Sequence, residues 1–212
     1  MAFLDYMFHN RDLILSLTFE HLQLVGIAIL AATGLGIPLG VAASRNPTLR
    51  RWSLGFANVL QTVPSLALFG FLIPVTGIGG RTAVIALALY ALLPILRNTC
   101  AGIAGVYRAV IEAAQAMGMT SLQMLLQVEL PLAAGVILAG VRIAAVTSIG
   151  VATIAAAVGA GGLGMFIFQG LSMVNNNVIL AGAIPAAVLA VFADALLGLI
   201  ERRLSFRTGK TS

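Results

Sequence analysis

The stretch 112-EAAQAMGMTSLQMLLQVELP-131 decides the reading of this chain, because it is modestly polar and helix-forming between segments too apolar for water. Ala113, Ala114 and Ala116 make a slim helical surface with Val110, Ile111 and Met117 beside it. Gly118 is placed to end that helix in the left-handed conformation. Thr120, with Gln123 three residues later, reads as a capping box that opens a second helix through Leu122, Met124, Leu125 and Leu126. Pro131 can then open the apolar run that follows, since the first turn of a helix does not need its missing amide. Periodicity alone fits both a docking element for a soluble partner and an amphipathic hairpin resting on a membrane.

Working outward, composition settles the class. The 212 residues are 60% hydrophobic and 9% charged, with a mean hydropathy of +1.05, whereas about a quarter of residues are charged in soluble domains. The chain is therefore expected to be an all-α integral membrane protein in a lipid bilayer. Its net charge of +5 lies in groups of one to three at the ends of apolar segments and forms no basic face, so nucleic acid is excluded as a partner. The single cysteine, Cys100, excludes an internal disulfide and a CxxC site and reads as a packing residue. Two histidines, His9 and His21, are too few for a metal site, and with Glu20 they read as interfacial polar residues.

Residues 1–21 carry Asp5, Arg11 and Asp12 and lack a cleavable leader pattern, so they are expected to form an extracytoplasmic, interfacial segment built on Phe3, Leu4, Tyr6, Met7 and Phe8. Residues 22–201 then hold five spans of about 20 apolar residues each. These are Leu22–Ser44, about Leu54–Ile73, Thr82 to about Ala101, Leu132 to about Val158, and Val178 to about Ile200, with the uncharged loop Gly159–Asn177 between the last two. Residues 202–212 form a tail. One side collects Arg45, Arg50, Arg51, Arg97, Arg108, Arg202, Arg203, Arg207 and Lys210, and the other only Arg11 and Arg81. By the positive-inside rule the N-terminus is outside, while the C-terminus and the loop 109–131 are cytoplasmic.

Proline interrupts four spans, at Pro38, Pro64, Pro94 and Pro185, and is expected to kink each. Gly140, Ala144, Ser148, Ala152, Ala156 and Ala160 recur every four residues, a stripe that admits close helix approach. Thr147 and Thr153 lie off it, facing a polar path or bonding their own helix. Gln61, Thr62 and Ser65 near Pro64, with Thr147 and Ser148, are candidates for a translocation path, whereas Phe69, Phe71 and Tyr90 read as lipid-facing or core. Arg142 and Asp194, each costly if left unpaired in lipid, are expected to pair across the bundle. Gly209, Lys210 and Thr211 imitate the end of a phosphate-binding loop, but Leu204 stands where its first glycine belongs. No set of catalytic side chains and no metal cluster is present, so an enzyme is not expected.

The order Glu112, Ala113, Ala114, three residues, Gly118, nine residues, Val128, Glu129, Leu130, Pro131 resembles the EAA loop of the membrane subunits of bacterial ABC importers, with Val in place of Ile at 128. VPSLALFGFLIP (63–74), YALLPILRNT (90–99), GAGGLG (159–164) and LAGAIPAAVLA (180–190) resemble the permeases of osmoprotectant uptake systems for glycine betaine, choline or carnitine. This resemblance implies a type I ABC importer permease fold of the methionine-importer kind in the bacterial inner membrane. It implies a second permease subunit, identical or related, and cytoplasmic ABC ATPase subunits that hold the ATP and magnesium, with no cofactor on this chain. A separate extracytoplasmic binding protein would select the solute, because the chain holds only the transmembrane module. Glu112, Ala113, Ala114, Gly118, Leu130 and Pro131 become the ATPase-coupling residues, and Gly159, Gly161, Gly162 and Gly164 help shape an outer gate. The alternatives are an importer of the same build for methionine-like amino acids or a thiol betaine. A secondary transporter is disfavoured, since no inverted repeat is evident.

Overall fold

A computed structural model describes residues 3–206 and is helical almost throughout. A short helix α1 (Phe3–His9) is followed after Asn10 by α2 (Arg11–Arg45). The first span thus does not start afresh at Leu22. It continues a helix that already carries Asp12 and Glu20, and at 35 residues it is about 52 Å long, well beyond an apolar bilayer core of about 30 Å. The Asn46 side chain ends the run and starts the next: it accepts from the amides of Thr48 and Leu49, and Pro47 occupies the first turn of α3 (Pro47–Thr62).

The expected second span is broken. α3 and α4 (Ser65–Thr76) meet at 105°, and the cause is local. Pro64 forces Val63 out of the helical region, to φ −70° and ψ 128°. Pro38, Pro94 and Pro185 sit inside continuous helices instead. Four described helices are long and apolar enough to cross a membrane, or five if the bent pair counts as one span.

After the glycine turn at Gly77 and Gly79, both at positive φ, come α5 (Gly80–Ala104) and α6 (Arg108–Ala116). α7 (Ser121–Met124), a π-helical turn over Leu125–Glu129 and α8 (Leu130–Ala152) then run on as one helix. Pro131 therefore does not open a new helix, contrary to expectation. The Leu130 amide reaches back to the Leu125 carbonyl, five residues away, and this widened turn takes up the proline that follows it.

α8 ends at Ala152 rather than near Val158. A 3-10 turn (Ile154–Val158) follows, so Ala156 and Ala160 leave the small-residue stripe, whereas Gly140, Ala144, Ser148 and Ala152 are all buried along it. The expected loop 159–177 contains its own helix, α9 (Gly164–Ser172), before α10 (Asn176–Phe206). Positions 207–212, including Arg207 and the Gly209–Thr211 imitation, lie outside the described residues.

α2, α5 and α8 form the centre of the bundle, and glycines set their spacing. A Cβ on Gly36 would lie 2.9 Å from Ile95, on Gly40 2.6 Å from Thr99, and on Gly140 2.7 Å from the Pro94 carbonyl oxygen. Close backbone approach of this kind is how helices gain dispersion contact where lipid supplies no hydrophobic drive. The main apolar cluster joins Leu24, Ala28, Phe69, Leu87, Ile149 and Ala152. Phe69 is wholly buried, while Phe71, two residues on, is exposed.

Candidate functional site

Three constellations lie along the bundle. The first is the elbow between α6 and α7. Gly118 stands at φ +79° with nothing within 4 Å of where a Cβ would lie, and the Met119 amide bonds the Ala114 carbonyl at 3.2 Å. The Thr120 side chain accepts from the Gln123 amide, and the Gln123 side chain accepts from the Thr120 amide at 2.8 Å. Both features follow from local chemistry. Ala114 is buried, while Glu112, Ala113 and Gly118 are exposed with Tyr107, Met117 and Leu122. Arg108 bonds Glu112 one turn on at 2.9 Å.

Sequence reasoning missed one member of this region. Glu129, buried in the π-helical turn, takes a hydrogen bond of 2.5 Å from Arg45 at the end of α2. The side chain of Glu129 is 10% exposed and that of Arg45 43%, so α2 is tied to the loop by a pair whose acid is the deeper half. A carboxylate inside an apolar helical run was the available signal, but its partner is 84 residues away.

The second constellation is a cavity of about 460 Å³ between α3, α5 and α8. Gln61, Thr147 and Ser148 line it, together with Tyr90, Leu93, Pro94, Arg97, Asn98, Ile143 and Val151. Thr62 and Ser65 do not: Thr62 donates to the Val59 carbonyl of its own helix, and Ser65 lies beyond the bend. Pro94 has no amide to offer the Tyr90 carbonyl four residues back; the Gln61 side chain donates to that carbonyl instead, at 3.0 Å. The Tyr90 hydroxyl donates in turn to the Val63 carbonyl at the bend. α5 thus secures the break between α3 and α4 with two side chains. Thr147 donates to the Ile143 carbonyl at 2.8 Å, while Ser148 Oγ is buried without a partner. Arg97, counted from the sequence among the charges at the helix ends, lies within α5 and reaches Asn58 at 3.0 Å.

Across α8 from that cavity Arg142 meets Asp194. The guanidinium donates through Nε and Nη2 to both carboxylate oxygens, at 2.7 and 2.8 Å, and through Nη1 to Glu201 at 3.1 Å. Glu201 was absent from the expected pair. Gly198 lies between the two acids on α10, and a Cβ there would come 3.0 Å from the Arg142 Nη1.

The third constellation is at the opposite end from Arg45. Gly159, Gly161 and Gly162 all stand at positive φ, and Gly164 packs so tightly that a Cβ would overlap the Thr153 carbonyl. This run folds over Glu20 and His21 of α2. The Gly162 amide donates to Glu20 at 3.1 Å, and His21 is fully buried beneath it, its Nε2 at 3.0 Å from the Ile149 carbonyl oxygen. His21 is thus not an interfacial residue, as its place at the edge of an apolar run had suggested. Cys100 is buried and donates to the Gly40 carbonyl. Among the described residues no three His, Cys, Asp or Glu side chains gather to hold a metal.

Residues 32–206 match the family described as the inner membrane component of binding-protein-dependent transport systems. The chain is 43% identical over 204 residues to the carnitine transport permease protein OpuCB of Listeria monocytogenes, covering 96% of this chain and 94% of that protein. It is 45% identical over 201 residues to the glycine betaine/carnitine/choline transport system permease protein OpuCD of Bacillus subtilis, covering 94% and 88%. In three dimensions it is similar to a chain of the MetNI methionine ABC transporter in an inward-facing conformation, with a TM-score of 0.84, 25% identity, and coverage of 92% and 97%.

Proposed function

Because this chain belongs to the family of inner membrane components of binding-protein-dependent transport systems, it is a multi-pass, non-catalytic permease of an ABC importer, and we propose that its cargo is an osmoprotectant such as glycine betaine, carnitine or choline. Identity above 40% along nearly the whole chain to permeases named for those solutes supports the cargo. Membership of this family carries with it ATPase and binding-protein partners in general. The specific contacts are part of the proposal.

One observation carries the coupling part of the reading: the α6–α7 elbow presents Glu112, Ala113 and Gly118 outside the bundle beside exposed Tyr107, Met117 and Leu122. An elbow of that shape fits a cleft on a cytoplasmic ATPase, which would hold the nucleotide and magnesium. Leu130 and Pro131 stand where it joins α8. This orientation puts the N-terminus outside and the C-terminus in the cytoplasm, as the basic residues near the elbow favour. Two permease chains, identical or related, would enclose a path that includes Gln61, Thr147 and Ser148, with closure of the ATPases opening it toward the glycine-rich run at 159–164.

The experiment is purification of the chain with its ATPase, followed by solute uptake into proteoliposomes supplied with the external binding protein. ATP-dependent uptake of glycine betaine is expected; uptake that proceeds without any ATPase would sink the importer reading. The likeness to a methionine transporter supports a second cargo, methionine itself, and competition by methionine in the same assay would decide for it.

A further inference from the structure

Two arginines lie inside long apolar helices, and their surroundings differ. Arg142 is held by two carboxylates, Asp194 and Glu201. Arg97 lies seven residues, about 10 Å, before the end of α5. Its guanidinium bonds the neutral amide of Asn58 at 3.0 Å, and no ion pair to it occurs among the described residues. No acidic side chain lines the cavity it faces. Arg97 is exposed and lines that cavity instead of being buried in apolar packing, and an arginine that faces a cavity within a span marks the path of a charged solute. Ser148 Oγ, buried at the cavity wall, has no partner among the described residues. Of the polar lining near Arg97, Thr147 gives its hydroxyl to the Ile143 carbonyl, while Gln61 and Asn98 each keep one amide N–H beyond the one given to the Tyr90 and Pro94 carbonyls.

We propose that Arg97 is a specificity-determining residue: within this cavity it receives the carboxylate of a zwitterionic solute and disfavours a cation that has none. The guanidinium supplies paired donors to a carboxylate at close range. Its charge repels a quaternary ammonium that brings no anion with it. Glycine betaine and carnitine are therefore favoured over choline at this point of the path, whatever the external binding protein delivers. The assignment rests on the osmoprotectant reading above.

The test uses the full complex with ATPase and binding protein in proteoliposomes, comparing uptake of radiolabelled glycine betaine and choline by wild type, Arg97→Gln and Arg97→Lys. The glycine betaine to choline ratio is expected to fall by about tenfold or more in Arg97→Gln and to stay within about threefold of wild type in Arg97→Lys. If Arg97→Gln does not co-purify with the ATPase, Arg97→Met takes its place as the neutral variant better suited to an apolar helix. An unchanged ratio, or equal loss of both solutes, overturns the role of Arg97 while leaving the transport reading intact. A wild-type complex that carries neither solute overturns the osmoprotectant reading, and the assignment with it.

Discussion

The side-chain amide of Gln61 donates to the Tyr90 carbonyl that Pro94 leaves without a helical partner, at 3.0 Å. A departure from regular helix in α5 is thus satisfied by a side chain across the α3–α5 contact. Gln61→Leu removes the donor and strands the carbonyl, at an expected cost of about 1 kcal/mol. Pro94→Ala restores an amide to that carbonyl, so Gln61→Leu should cost much less in the Pro94→Ala background. Thermal unfolding of the four proteins in detergent measures the coupling. Equal costs in both backgrounds would show that the Gln61 bond does not serve this purpose.

The Arg45–Glu129 pair is expected to respond unequally to its two deletions. Arg45→Gln leaves a buried carboxylate without its cation and should destabilise by about 3 kcal/mol. Glu129→Gln leaves a half-exposed guanidinium that can turn to water, and should cost less than about 1 kcal/mol. The double substitution should recover most of the first loss. Melting temperatures with and without the ATPase bound would show it, and equal single losses would contradict the depth assigned to Glu129.

Arg142 faces two acids, so its removal should exceed the removal of either acid. Arg142→Gln brings Asp194 and Glu201 together without a cation, and should lower the melting temperature more than Asp194→Asn or Glu201→Gln does. Asp194→Asn still leaves Glu201 bonded. If the Arg142→Gln, Asp194→Asn double variant is no worse than the poorer single one, the pair acts as a unit, whereas additive losses would show independent roles. Transport rate and melting temperature both serve as readouts.

Gly118 is constrained by its backbone alone, because open space surrounds the site of a side chain. Gly118→Asn should therefore be milder than Gly118→Val, since asparagine tolerates positive φ and a β-branched residue does not. A penalty of about 1–2 kcal/mol in the elbow is expected for non-glycine residues other than asparagine. Stimulation of ATP hydrolysis by loaded binding protein should fall in that order while unstimulated hydrolysis holds. If asparagine and valine are equally harmful, the constraint comes from a partner's surface.

What could be read from the chain beforehand divides by distance along it. The left-handed Gly118 and the Thr120–Gln123 box are settled within four residues, so local chemistry sufficed. Arg142 and Asp194 stood out as charges in lipid-length apolar runs, but Glu201 looked like one of several charges at a helix end. Four prolines looked alike, yet only Pro64 parts its helix; Pro38 and Pro185 sit within continuous helices, and Pro94 is carried by the Gln61 donor, which no local pattern reveals. His21 shows the same limit. Its burial depends on Ile149 and on Gly162, both more than 120 positions away. Gln61 was picked out for its polarity near Pro64, and its partner, a carbonyl released by Pro94, was invisible.

The π-helical turn at Leu125–Glu129 has a mechanical consequence. With no break at Pro131, Ser121 to Ala152 is a single lever of 32 residues, about 48 Å long. The elbow at Gly118 is its near pivot and the 3-10 turn before Gly159 its far tip. A tilt of roughly 5° imposed beside the elbow would carry that tip about 4 Å, with no joint between them to absorb the stroke.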